Sequence, residues 1–170
     1  MMASYQRDNR GRLLQALLLL VVMLGFAACK DDSVDQKVKD DKKIQEYFVS
    51  HNIDTATVVK TNSGLYYQKL EEGTGSRIFP GDVVLVDYKG MLLNDTEFDS
   101  SYERGEPYQV TVGISSVIAG WHEGLQLMRV GEKARLFIPS HLGYGRNPQG
   151  VAIPANSPLV FEVHVVEMQD

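Results

Sequence analysis

The sequence predicts an α+β domain made of one antiparallel sheet and one short helix, preceded by an export segment and a short helical spacer. Three observations carry that prediction. Five segments between residues 65 and 168 are strand-like, and the clearest of them alternate apolar and polar residues with a period of two. One segment in that stretch, residues 116–128, has apolar residues at helical spacing. Glycine and proline punctuate the connections, as a sheet bending around a helix requires. One sheet and one helix bury their apolar faces in a single core.

The chain has 170 residues, 44% apolar and 23% charged, which is enough for a core and ordinary for a soluble domain. Its net charge of -5 argues against nucleic acid as the main partner, because phosphate binding needs a basic footprint. The single cysteine, Cys29, makes an intramolecular disulfide impossible.

The elements follow in order. Residues 1–12 are polar and carry Arg7, Arg10 and Arg12 against Asp8. An apolar run over residues 13–24, broken by Gln15, leads to Gly25, Phe26, Ala27, Ala28 and Cys29. This is the pattern of a secretory signal, and the run falls short of the roughly 20 residues of a spanning helix. Small residues directly before the only cysteine resemble the lipobox of bacterial lipoproteins, although Phe26 stands where leucine is usual. The resemblance implies cleavage after residue 28 and a diacylglycerol on Cys29. The following Lys30-Asp31-Asp32-Ser33 resembles the acidic export tag of Bacteroidetes lipoproteins, which implies the outer membrane; a plain soluble tether is the alternative.

Residues 33–50 read as an amphipathic helix with Val34, Val38, Ile44, Tyr47 and Phe48 on one face, a spacer or a dimerisation helix. Strands are expected at residues 65–70, 82–91, 108–112, 131–139 and 159–168, with Val84, Val86 and Tyr88 sharing one face of the second. In the helix over residues 116–128, Val117, Ile118, Trp121 and Leu125 lie on one side, and Gly120 and Gly124 permit close approach to the sheet. The expected division is 1–28 signal, 29–63 lipidated cysteine, tether and helix, and 64–170 folded domain, with no second domain after it.

Several chemistries find no support. His51, His122, His141 and His164 show no i, i+4 pair and no neighbouring cysteine, so no metal is expected. No Gly-x-Ser-x-Gly turn is present for a serine nucleophile. Gly73-Thr74-Gly75 lacks the third glycine and the helix of a phosphate cradle, so no cofactor is expected. Asn94-Asp95-Thr96 matches a glycosylation sequon but is first a turn signal.

The positive signal lies in apolar and aromatic residues. Val86-Asp87-Tyr88-Lys89-Gly90-Met91-Leu92 followed by Glu97-Phe98-Asp99-Ser100-Ser101 resembles the first signature of the FKBP-type peptidyl-prolyl isomerases. Val117-Ile118-Ala119-Gly120-Trp121-His122-Glu123-Gly124-Leu125, residues 128–138, Leu142-Gly143-Tyr144-Gly145, Ile153-Pro154 and Leu159-Val160-Phe161-Glu162-Val163 follow in that family's order and spacing. The resemblance covers about residues 75–170. It implies a bent antiparallel sheet wrapped around the helix with the site between them.

By that resemblance, Trp121 forms the floor under a proline ring, and Tyr88, Phe98, Tyr108, Val117, Ile118 and Phe161 form the walls. Tyr108 stands where the family usually has Phe. Asp99 lines the rim, held by Arg104 and the Tyr88 hydroxyl. Tyr144 and the Ile118 N–H donate to substrate carbonyls, and Ile153 contacts substrate from the loop over residues 140–157. That loop is too short for the chaperone domain some bacterial relatives insert there. Ala119, Gln149 and Ala152 depart from the family pattern at the rim, where they bear on macrolide affinity and substrate preference.

The implied function is a prolyl isomerase assisting secreted or envelope proteins, with Asp99, Tyr144, Trp121 and Phe98 as the catalytic set. The implied partners are proline-containing polypeptides, macrolides of the rapamycin type, and a membrane reached through the lipid on Cys29; a monomer is expected. A non-catalytic module binding proline-bearing peptides is the alternative, and a purely structural lipoprotein is a third reading.

Overall fold

A computed structural model describes residues 32–169. The segment expected to form a signal and lipobox, with Cys29, lies outside the described residues.

The polypeptide enters through helix α1 (Asp32–Ser50), then forms β1 (Val58–Lys60), β2 (Tyr66–Glu71), β3 (Val83–Leu92) and β4 (Glu97–Ser100). A four-residue helix α2 (Ser101–Arg104), β5 (Tyr108–Thr111), helix α3 (Ala119–Gln126), β6 (Lys133–Ile138) and β7 (Leu159–Gln169) complete it. The sheet is antiparallel in the order β1-β2-β6-β7-β3-β4, and β5 also pairs with β3.

Register decides which residues face which side. Tyr67, Leu136, Phe161 and Gly90 pair in one row across β2, β6, β7 and β3. This row faces the main core with Val84, Val86, Tyr88, Val163 and Val165. The adjacent row, Tyr66, Phe137, Val160 and Met91, points to the opposite side, because strand side chains alternate. There it meets Ile44, Tyr47 and Phe48 of α1. The sheet is thus apolar on both faces, with α3 on one and α1 on the other.

The helix over residues 33–50 is present, but its buried face is narrower than expected. Val34 and Val38 are 57% and 63% exposed, whereas Asp40, Ile44, Tyr47 and Phe48 are buried. At 100° per residue, Val38 lies about 120° around the helix from Ile44, off the stripe that meets the sheet. Residues 33–63 pack on the sheet through α1 and β1, and Ser33–Asp170 forms one compact unit.

Helix α3 is shorter than the expected 116–128. Ile118 is its N-cap with extended backbone, so Val117 and Ile118 lie outside the helix ladder. Gly120 and Gly124 do permit close approach: a Cβ would come within 2.6 Å of the Ile138 side chain at the first and 2.5 Å of Leu136 at the second.

β4 and the start of α2 lie within the first signature motif, and together the two elements shape one edge of the sheet. Along that edge of β3, β4 pairs with Lys89, Gly90 and Met91, and β5 pairs with residues 83–86. The gap between them is filled by Ser101 of α2, whose Oγ accepts from the Tyr88 N–H at 2.9 Å. The same hydroxyl donates to Asp87 at 3.0 Å. This places α2, and Arg104 at its end, beside the middle of β3.

Candidate active site

The face of the sheet that meets α3 and the start of that helix border a cleft of about 630 Å³. Its base is Trp121, 4% exposed, in the first turn of α3. The glycines of α3 let that turn sink against β6, which brings the indole among the strand rings. Tyr88 from β3 stands edge-on to it, with centroids 4.9 Å apart and planes at 87°. Phe161 from β7 does the same at 5.4 Å and 89°, and Tyr108 from β5 at 6.4 Å and 79°. Phe98 from β4 meets Phe161 edge-on at 5.6 Å. Edge-to-face geometry is the favoured one for aromatic pairs, so the rings hold each other upright and leave an apolar hollow. Gly90 makes this possible: a Cβ there would come within 2.7 Å of Phe161 and 2.8 Å of Phe98.

One rim is polar. The Tyr88 hydroxyl donates to Asp99 Oδ2 at 2.5 Å, and Arg104 donates to Asp99 Oδ1 at 2.6 Å and to the Tyr88 oxygen at 2.7 Å. The guanidinium also lies 5.3 Å from the Tyr88 ring centroid. Burial works to raise the Asp99 carboxyl, but the bonds from Tyr88 and Arg104 outweigh it and hold the group below its ordinary range. Burial, with the bond to Asp99 added, pushes the Tyr88 phenol up to about 12. The rim therefore carries a fixed carboxylate and a neutral phenol across the physiological range.

The cleft also offers donors. Tyr144 lines the cleft, and its hydroxyl has no hydrogen-bond partner among the described residues. Burial and the nearby Asp99 charge raise its pKa, so it remains a donor. Ile118, as N-cap, leaves its N–H outside the helix ladder on the cleft wall.

Of the residues expected at the site, Tyr88, Phe98, Asp99, Arg104, Tyr108, Val117, Ile118, Trp121, Tyr144 and Phe161 all line this one cleft. Ile153 does not. It is 5% exposed, packs in the main core and is absent from the cleft wall. Ser116 and Gly143 also line the cleft; Gly143 is signalled only as part of the Leu142–Gly145 motif and Ser116 only by adjacency to Val117. Ser101, which fixes the Tyr88 backbone, was legible only as part of a motif.

Another cleft of about 640 Å³ lies over the outward residues Lys89 and Glu162, crossed by the Lys89–Glu97 ion pair at 3.2 Å, and lacks such ring walls. Among the described residues no cluster of three or more His, Cys, Asp or Glu could hold a metal.

The sequence model of the FKBP-type peptidyl-prolyl cis-trans isomerases matches residues 75–166. The chain belongs to that family. It is 45% identical over 132 residues to the FKBP-type peptidyl-prolyl cis-trans isomerase FkpA of Aeromonas hydrophila, covering 78% of this chain and 48% of the relative. It is 50% identical over 104 residues to FK506-binding protein 1A of Neurospora crassa, covering 61% of this chain and 87% of that one. The crystal structure of FkpA from Escherichia coli superposes with a TM-score of 0.66 at 35% identity, covering 95% of this chain and 72% of that one. The chain thus spans about half the length of the Aeromonas FkpA it matches. The FKBP match takes in β3 to β6 and most of β7, which carry every residue of the cleft, and leaves out α1, β1 and β2.

Proposed function

We propose that the chain catalyses cis–trans rotation about X–Pro peptide bonds. The observation that carries this reading is the ring-walled hollow over Trp121, lined also by the fixed Asp99 carboxylate and by the Tyr144 hydroxyl, which has no hydrogen-bond partner among the described residues. Amide resonance sets an uncatalysed barrier of roughly 18–20 kcal/mol, so the reaction is slow although no bond is made or broken. The planar imide is more polar than the twisted one. An apolar hollow shaped for the twisted form therefore lowers the barrier, and each 1.36 kcal/mol of such preference is about tenfold in rate.

In this reading the proline ring rests on Trp121 between Tyr88, Phe98, Tyr108, Val117, Ile118 and Phe161. Tyr144 and the Ile118 N–H hold the flanking carbonyls of the substrate, so that rotation occurs within a clamped backbone. Asp99 faces the turning carbonyl carbon and stabilises its dipole. Ile153 contacts the substrate from the loop over residues 140–157. A macrolide of the rapamycin type would compete for the same hollow.

A protease-coupled assay on a short X–Pro peptide, with residues 33–170 as enzyme, tests this. Acceleration lost in Trp121→Ala and Asp99→Ala supports it. Tight peptide binding without acceleration supports a non-catalytic binding module, and pocket substitutions that alter nothing but stability support a structural role.

We also propose that the chain acts in the bacterial envelope, tethered as a monomer to the outer membrane by a lipid on Cys29. The basic start, the apolar run and Ala27-Ala28-Cys29 support this. Its clients would be secreted and envelope polypeptides. Metabolic labelling with a palmitate analogue, lost in Cys29→Ser, is the expected result; unlabelled wild type would overturn the anchor.

A further inference from the structure

The helix that precedes the family match reaches the site through one buried carboxylate. Asp40 of α1 is 0% exposed, yet it lies on a helix in which every neighbouring charged residue faces solvent at least in part. Its Oδ2 accepts from the Ser140 backbone N–H at 2.8 Å and from the Ser140 hydroxyl at 2.5 Å. Its Oδ1 accepts from Gln36 at 2.7 Å. Burying a carboxylate is costly unless it is fully hydrogen-bonded, and this one is.

Ser140 is the hub of the turn that presents Tyr144. Its carbonyl accepts from the Gly143 N–H at 3.0 Å and from the Gly145 N–H at 2.8 Å. The two residues that flank Tyr144 are therefore both tied to Ser140, and Ser140 is tied to Asp40. Gly145 accepts in turn from Asn156 at 2.6 Å, which closes the base of the following loop. Beyond these bonds, the Tyr144 hydroxyl itself has no hydrogen-bond partner among the described residues to hold it in place.

We infer that Asp40 is a positioning residue for the isomerase site: by anchoring Ser140 from the opposite side of the sheet, it sets where the Tyr144 hydroxyl stands in the cleft. This rests on the proposed isomerase reading. Asp40 touches no part of the cleft and acts through Ser140 and Tyr144. Loss of its carboxylate strands two buried donors on Ser140, and the turn must shift to satisfy them. A small displacement of a substrate-positioning group is enough to cost rate.

The test is a double-mutant cycle on kcat/KM for an X–Pro peptide, using chain from residue 33 onward with folding checked by circular dichroism. Asp40→Ala is expected to lower kcat/KM about tenfold, and to add less than about twofold when placed on Tyr144→Phe, because both act through one hydroxyl. Asp40→Asn can accept both Ser140 donors while Gln36 turns its amide, so it is expected to stay within about twofold of wild type. Should Asp40→Ala not fold, Ser140→Ala keeps the backbone bond and is expected to lose about threefold, again only when Tyr144 is present. A folded Asp40→Ala with wild-type kcat/KM, or losses from Asp40 or Ser140 that multiply with that of Tyr144→Phe, would overturn the inference. A wild-type chain with no isomerase activity would overturn the functional reading instead.

Discussion

The Tyr88 hydroxyl donates a 2.5 Å hydrogen bond to the Asp99 carboxylate, and the two side chains fix each other's protonation state. Asp99 is held below the ordinary carboxylate range, so its contribution to stability is present above that range and is lost as pH falls through the folded value. Tyr88 is pushed up to about 12, so its contribution is present below the ordinary phenol value and is lost as pH rises towards 12. Stability and kcat/KM owe nothing to either group's titration between about pH 5 and 9. Tyr88→Phe removes the phenol's bond and should raise the Asp99 pKa, which NMR titration of that carboxyl would read; an unmoved titration contradicts the assignment.

Trp121 combines a structural and a catalytic load. Trp121→Ala is expected to destabilise the domain by about 3–5 kcal/mol in chemical denaturation. Trp121→Leu refills part of the volume and should recover part of that stability. Its kcat/KM should nevertheless stay at least about tenfold down, because the flat floor is gone. Recovery of activity along with stability would mean the indole acts only as core.

Two glycines separate packing from chemistry. Gly90→Ala drives a methyl into Phe161 and Phe98, two walls of the cleft, whereas Gly124→Ala drives one into Leu136 behind α3. Each is expected to cost about 1–3 kcal/mol by overpacking. Only Gly90→Ala moves cleft walls directly, so its loss of kcat/KM should be the larger one when both are assayed well below their melting points.

The outer face of the sheet is tested on α1. Phe48 sits edge-on to Phe137 with centroids 4.7 Å apart, so Phe48→Ala should cost about 3–5 kcal/mol. Val38→Ala, at a solvent-facing position, should change stability by about 0.5 kcal/mol or less. Equal effects would mean that the helix packs along a different stripe.

Much of this arrangement was legible in the sequence, and the failures have physical causes. The period-two rows of β3 and β7 announce their faces because each strand is long and buried on a known side, as with Val84, Val86 and Tyr88. β1 and β4 are too short to carry a period, and β4 shows itself only once its pairing with Gly90 is known. Val34 and Val38 looked like core because helical spacing says nothing about where a helix leaves the surface it covers. The rings of the cleft are legible through motifs, and so is Ile153, which is buried in the same apolar cluster as Trp121, Tyr88 and Phe161. Asp40 gave no signal at all: a lone acid in a charged helix reads as solvated until the fold brings Ser140 to it.

The most direct measurement is two-dimensional NMR exchange spectroscopy on an unmodified X–Pro peptide that shows both isomers, with the protein at a few per cent of the peptide. The account predicts exchange cross-peaks between cis and trans signals that appear with the wild-type chain and vanish with Trp121→Ala. Peptide signals that broaden on binding, with no exchange between the isomers, would contradict it.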